Sequence, residues 1–136
     1  MASEVEQFAT LPIRRSDDVV AVRQKVRAFA VDAGLGLVDQ TKIVTAASEL
    51  ARNTLDYGGG GEVLLQKIDD GIRKGVRLTF EDKGPGIPDL ALALKDGYST
   101  GSGLGLGLSG AKRLSNEFEI ESMVGEGTRV TIARWK

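Results

Sequence analysis

Gly97-Tyr-Ser-Thr-Gly-Ser-Gly-Leu-Gly-Leu-Gly-Leu-Ser-Gly110 holds six glycines in fourteen residues and runs directly into a helical pattern from Leu108 to Leu114. Glycine gives up side-chain packing and loses more backbone entropy on folding than any other residue. So many in one place implies a backbone that must move or come very close to something. Bare N–H groups ahead of a helix start suit a phosphate, because orphan donors and the helix dipole both favour negative charge. On its own the segment reads as the mobile lid of a nucleoside triphosphate site.

Other glycine loops fit less well. Gly105, Gly107 and Gly110 match G-x-G-x-x-G, but a dinucleotide fold needs a strand just before them, and Asp96 to Gly101 is a polar loop. A P-loop needs Gly-Lys followed by Ser or Thr, whereas Gly110 is followed by Ala111-Lys112-Arg113. A protein-kinase glycine loop needs a later His-Arg-Asp, and the chain has no histidine. The plain alternative is a linker, although linkers do not alternate Gly with Leu.

Working outward, 136 residues with 41% hydrophobic and 27% charged residues point to one soluble globular domain with a sizeable core. A net charge of −1 gives no basic field for nucleic acid or an anionic membrane. No apolar run approaches the roughly 20 residues of a membrane span. The acidic start Met1-Ala-Ser-Glu-Val-Glu lacks the apolar core of a signal peptide, so a cytoplasmic location is the expectation. Without Cys there is no thiolate chemistry or sulfur-bound zinc, and without His there is no imidazole base and no self-phosphorylation on histidine. Any bound metal must take oxygen ligands, which favours Mg²⁺. Any base must be Asp, Glu, Lys or Tyr.

Glu4 to Ile13 alternates loosely and reads as an edge strand. Ser16 before Asp17-Asp18 predicts a capped helix start, with Val22, Val26, Phe29 and Ala33 facing inward until Gly34. Asp39 is expected to cap a second helix whose stripe is Ile43, Ala47, Leu50 and Thr54, ended by Gly58–Gly61. Strands follow at Glu62–Asp69 and Val76–Asp82, joined by a hairpin-like turn. A short helical segment, Pro88–Leu94, precedes the glycine loop. A strand pair, Phe118–Ser122 and Thr128–Arg134, closes the chain. Hairpins outnumber crossovers, which predicts an α+β two-layer sandwich: a mixed sheet of about five strands with helices on one face.

Three places could carry chemistry. Glu49 and Asn53 are neighbours on one helix face. They read either as a solvated face or as a carboxylate able to take a proton beside an amide oxygen able to ligate Mg²⁺. Asp82 shares parity with Val76, Leu78 and Phe80, and an inward carboxylate is costly unless it meets donors. It either caps the following turn or accepts from an exocyclic amine such as adenine's. An acceptor there would favour adenine over guanine by about ten- to a hundredfold. Thr128 shares parity with Val130 and Ile132, so its hydroxyl faces inward as well, whether as a strand former or as a ligand contact.

The four elements come in one order: Glu49-x-x-x-Asn53, Asp82-Lys-Gly84-Pro-Gly86, the Gly/Leu loop, and Gly127-Thr128. As a set they resemble the GHKL ATPase superfamily, which includes gyrase-like ATPases, Hsp90, MutL and sensor histidine kinases. Ser48-Glu-Leu-Ala-Arg-Asn53-Thr54, Phe80-Glu-Asp-Lys-Gly-Pro-Gly-Ile87 and Gly97 to Leu114 are similar to the anti-sigma-factor serine/threonine kinases within it. The likeness spans nearly the whole chain, most weakly before Ile13.

The resemblance implies a Bergerat, histidine-kinase-like ATPase fold in one ATP-binding kinase domain over 1–136. It implies ATP and Mg²⁺ as cofactors, with Asn53 on the metal and Asp82 on the adenine amine. Gly84, Gly86 and Ile87 would border the base, and Thr128 would join the adenine network. Residues 96–107 would form the ATP lid, with Gly101, Ser102, Gly103, Leu104, Gly105, Leu106 and Gly107 on the nucleotide; our own reading of the helix face adds Glu49 as the catalytic residue that orients the acceptor hydroxyl or takes its proton. The implied activity is phosphorylation of a Ser or Thr on STAS-domain antagonist or scaffold proteins in a stress-signalling partner switch, followed by binding of a PP2C-type phosphatase. A homodimer is allowed; nucleic acid and membrane are not expected partners. Two alternatives are a nucleotide-dependent module that sequesters a partner and a GHKL ATPase without phosphotransfer. The lid carries no Arg or Lys between Asp96 and Ser109, so a cation for the transferring phosphoryl group is not found there.

Overall fold

Period-two alternation lays down a sheet, and two helical stripes cover one side of it. The computed structural model describes residues 4–95 and 108–136. In chain order these form β1 (Glu4–Ile13), α1 (Ser16–Asp32), α2 (Leu37–Asp56), β2 (Gly61–Asp69), β3 (Lys74–Asp82), α3 (Leu90–Ala93), α4 (Leu108–Arg113), β4 (Glu117–Met123) and β5 (Gly127–Trp135). The five strands lie in the order β1-β2-β3-β5-β4, which makes β1 the edge strand expected from its loose pattern.

Every pairing is antiparallel, so the sheet is not mixed as the sequence pattern had led us to expect. Two tight turns account for part of this. Asp70 takes the Ile72 and Arg73 amides on one carboxylate oxygen at 2.9 and 2.7 Å, closing the β2–β3 hairpin with Gly71 at φ 90°. Gly125 at φ 82° turns β4 into β5. The α1–α2 pair occupies the whole β1–β2 connection and returns the chain so that β2 runs back along β1.

The predicted stripes are buried. Val22, Val26, Phe29 and Ala33 from α1 and its end, and Ile43, Ala47, Leu50 and Thr54 from α2, are sealed from solvent. Their apolar members join Val63, Leu65, Leu78, Phe80, Val130 and Ile132 in one core. By strand alternation the other sheet face is more polar. It carries a small satellite cluster of Ile68, Ala133 and Trp135, where the indole N–H donates to Glu117 at 2.6 Å.

Both expected helix caps are displaced. Ser16 already lies inside α1, whose cap position is Arg15. The first-turn acid Asp18 does the capping instead, taking the Arg14 and Arg15 amides at 2.8 and 3.0 Å. Likewise α2 starts at Leu37 after Gly36. Asp39, one turn in, accepts two N–H groups of Arg134 at 3.1 and 2.7 Å, and Arg134 also donates to the Leu114 carbonyl at 3.3 Å. One mostly buried guanidinium thus ties the start of α2 and the end of α4 to β5. Arg134→Ala should cost about 1 kcal/mol of stability in urea unfolding, and an unchanged midpoint would show that the tie is slack.

Candidate functional site

At the end of β3 the alternation that buries Val76, Leu78 and Phe80 turns Asp82 toward the helices, where it is half-buried. The antiparallel register sets Asp82 directly opposite Thr128 on β5. From the other side, α2 offers Leu50, Asn53 and Thr54, and Tyr57 at its C-terminal cap continues the helical spacing. Phe80, Ile87, Leu108 and Val130 complete a cleft between helix and sheet. Its walls are chiefly apolar, and Asn53, Asp82 and Thr128 supply polar groups convergent from three elements. That composition fits a flat, partly polar organic ligand.

Glycines make the space for the carboxylate. A Cβ at Gly58 would fall on the Asp82 carboxyl group, one at Gly127 on the Asp82 carbonyl oxygen, and one at Gly84 2.6 Å from the Gly58 carbonyl oxygen. Gly86 has φ +77°, and a Cβ there would overlap the Met123 carbonyl. Gly84 and Gly86 therefore have reasons within the chain itself, in addition to any approach of a ligand.

The hydrogen bonds run outward from Asp82. Its carboxylate takes the Gly84 amide at 2.9 Å. Thr128 Oγ1 lies 2.8 Å from Ser122 Oγ, which in turn accepts from the Ile87 amide at 2.7 Å. The Tyr57 hydroxyl donates to the Gly86 carbonyl at 2.6 Å. The loop after β3 is thus pinned from α2 and from β4.

Burial pushes the Asp82 carboxyl above the ordinary carboxylate range. The Gly84 and Thr128 amides pull the other way, and the Glu81 charge adds a smaller upward push. The folded chain therefore holds this proton more tightly than the unfolded chain does. The resulting stabilisation is complete below the ordinary carboxylate pKa and is lost as pH rises through the folded value. Asp18 and Asp70 act in the opposite sense. Their carboxyls are held low chiefly by the Arg14 and Arg73 amides respectively, so their contribution is lost as pH falls. Urea unfolding of wild type and Asp82→Asn across this acidic range should give a stability difference, wild type minus variant, that declines as pH rises. A flat difference would remove the desolvation argument.

The structure brings four expected residues, Asn53, Asp82, Ile87 and Thr128, into one cleft. Glu49 is exposed, one turn before Asn53 on α2, and is not among the residues lining the cleft. The lid residues Gly101, Ser102, Gly103, Leu104, Gly105, Leu106 and Gly107 lie outside the described residues. Sequence reasoning missed Tyr57, Gly58 and Ser122. Tyr57 follows Asn53 by four and could have been found from helix spacing. Ser122 needed the register of the last hairpin, which pairs it with Thr128.

An adenine nucleotide suits this donor set: apolar walls for a ring, and a carboxylate acceptor at the floor within a glycine cradle. A divalent ion suits it only in part. Among the described residues no group of three or more acidic side chains could hold a metal. An ion beside Asn53 would therefore draw on phosphate and water oxygens, as Mg²⁺ commonly does.

Comparison with known proteins bears this geometry out at the level of class. Residues 38–136 match the histidine kinase-, DNA gyrase B-, and HSP90-like ATPase family, and the chain belongs to that family. It is 48% identical over 118 residues to the serine/threonine-protein kinase RsbT of Bacillus subtilis (strain 168), covering 87% of this chain and 89% of that one. That likeness makes it a serine/threonine-protein kinase within the family. It is also 30% identical over 128 residues to the anti-sigma F factor of Geobacillus kaustophilus (strain HTA426), covering 88% and 86% of the two chains. The crystal structure of the RsbU and RsbW domains of a Mycobacterium tuberculosis protein superposes with TM-score 0.65 at 22% identity, over all of this chain and 33% of that one. This last match supports the fold alone. Among the described residues no helix is long and apolar enough to cross a membrane.

Proposed function

We propose that the chain is an Mg²⁺- and ATP-dependent kinase that phosphorylates a Ser or Thr on STAS-domain antagonist or scaffold proteins in a stress-signalling partner switch, then binds a PP2C-type phosphatase. The observation that carries the nucleotide half is a half-buried carboxylate at the floor of an apolar cleft, directly below the helix that bears Asn53. The kinase half is supported by the 48% identity to RsbT.

In this reading Asp82 accepts from the exocyclic amine of adenine, and Thr128 completes the polar floor. Phe80, Ile87 and Val130 exclude water from the ring. Asn53 offers its amide oxygen to the metal. Bound Mg²⁺ would neutralise charge on the phosphate oxygens, the main requirement of phosphoryl transfer. Glu49, exposed at the rim of the same helix face, orients the acceptor hydroxyl and takes its proton.

Incubation with γ-labelled ATP and a STAS-domain protein tests the whole reading. Label on a Ser or Thr of that protein is the expected result. Label released only as free phosphate would identify an ATPase without phosphotransfer. Intact ATP retained in a stable complex would identify a sequestering module, the reading favoured by the 30% identity to an anti-sigma F factor.

A further inference from the structure

We propose that Tyr57 is a positioning residue. By holding the Gly86 carbonyl, its hydroxyl sets the loop after β3 at a fixed distance from the turn of α2 that bears Asn53. The base end and the phosphate end of the cleft are then built to one spacing before nucleotide arrives. The inference rests on the adenine-nucleotide reading above and adds to it a residue that has no part in that reading so far.

The sense of this bond is fixed by its chemistry. A phenol carries a proton and a carbonyl can only accept one, so Tyr57 donates to Gly86, and at 2.6 Å the contact is short. Gly86 is buried, and a buried carbonyl stripped of its partner is costly. Its neighbour Ile87 lines the cleft, as does Asp82 at the other end of the same loop. Tyr57 lines it too. With its proton spent on Gly86, it offers a ligand the side of its ring.

A ring of contacts closes around the cleft floor. The Asn53 carbonyl accepts the Tyr57 and Gly58 amides, each at 3.0 Å, so Asn53, Tyr57 and Gly58 share one turn. From that turn Tyr57 reaches Gly86, while Gly58 backs onto the Asp82 carboxyl group with no room for a Cβ between them. Asp82 holds the Gly84 amide at 2.9 Å. The outer side of the loop is tied to β4 and its turn, by the Ile87 amide on Ser122 at 2.7 Å and the Gly125 amide on the Pro85 carbonyl at 2.8 Å. Tyr57→Phe keeps the ring and cuts the tie from α2. The loop then samples several spacings, and apparent affinity falls by the fraction that remains competent.

The test compares wild type and Tyr57→Phe in three measurements. Calorimetric binding with Mg²⁺ should show ATP and ADP weakened by the same factor, about tenfold, the scale of one lost hydrogen bond. In the nucleotide-free protein, hydrogen exchange at the Gly84 and Ile87 amides should quicken, while the β1–β2 ladder exchanges as in wild type. Turnover of γ-labelled ATP at saturation should stay at the wild-type rate. Affinity is read on folded molecules, so an unfolded fraction does not distort it. Unchanged affinity would overturn the proposal. So would weaker binding with unchanged exchange at Gly84 and Ile87, which marks direct contact between the hydroxyl and the nucleotide. Exchange quickened throughout the sheet would mark a general structural role and overturn it as well. A loss confined to ATP, or a slower saturated rate, would overturn it by placing the hydroxyl at the transferred phosphate. Wild type that fails to bind ATP would sink the adenine reading itself, and this shows before a variant is made.

Discussion

Asp82→Asn should weaken ATP binding by about ten- to a hundredfold in calorimetry while leaving the thermal midpoint near that of wild type. The substitution keeps the shape of the side chain. One amide oxygen can still accept from the Gly84 amide, a bond of 2.9 Å in the parent. The other terminus becomes an NH₂ group, which would set a donor against the donor amine of adenine. The fold has little reason to suffer, because burial already disfavours the charge that is removed. Affinity for inosine triphosphate should hold or rise, since its ring carbonyl would then meet a donor. ATP affinity equal to wild type would show that the base is held by some other residue.

Gly127→Ala should be the more damaging change to stability, at about 3–5 kcal/mol in denaturant unfolding. Gly127 has φ +123°, a conformation that L side chains rarely adopt, and an added Cβ would overlap the Asp82 carbonyl oxygen and stand 2.9 Å from the Lys83 Cα. Both obstacles are backbone, so no rotamer change relieves them. The strands would part where Asp82 faces Thr128, and ATP binding should fall with the fold. Gly125→Ala, two residues away, is the control. Its φ is +82° but nothing lies within 4 Å of the added Cβ, so it should cost only the left-handed backbone penalty of about 1–2 kcal/mol. Equal losses in the two variants would mean that the close approach at Gly127 carries no weight.

What the sequence revealed follows from how far each signal reaches. The stripes of α1 and α2 and the parity of Asp82 and Thr128 are local patterns, and the residues concerned point where those patterns aim them. Which strands neighbour one another is not local. The register that sets Ser122 against Thr128 and Thr128 against Asp82 joins β3, β4 and β5, and no window of sequence displays it. The bond from Tyr57 to Gly86 crosses 29 positions, and the reason for Gly58 lies in the carboxyl group of Asp82. The displaced caps have a different cause. Ser16 and Asp39 are good capping residues, but each chain segment became helical slightly earlier than its capping signal, and the acids were drawn to the Arg14 and Arg15 amides and to Arg134 instead.

Gly58, Gly84 and Gly127 leave no room for a side chain where the chain closes in behind Asp82. Packing of that kind resists exchange of amino acids, since an added Cβ collides with the Asp82 carboxyl group at Gly58 and with main chain at Gly84 and Gly127. Divergence toward another nucleotide is then channelled through the polar side chains that line the cleft beside the sheet, Asp82 and Thr128. Descendants of this fold would retain their purine choice under drift until Asp82 or Thr128 itself was replaced.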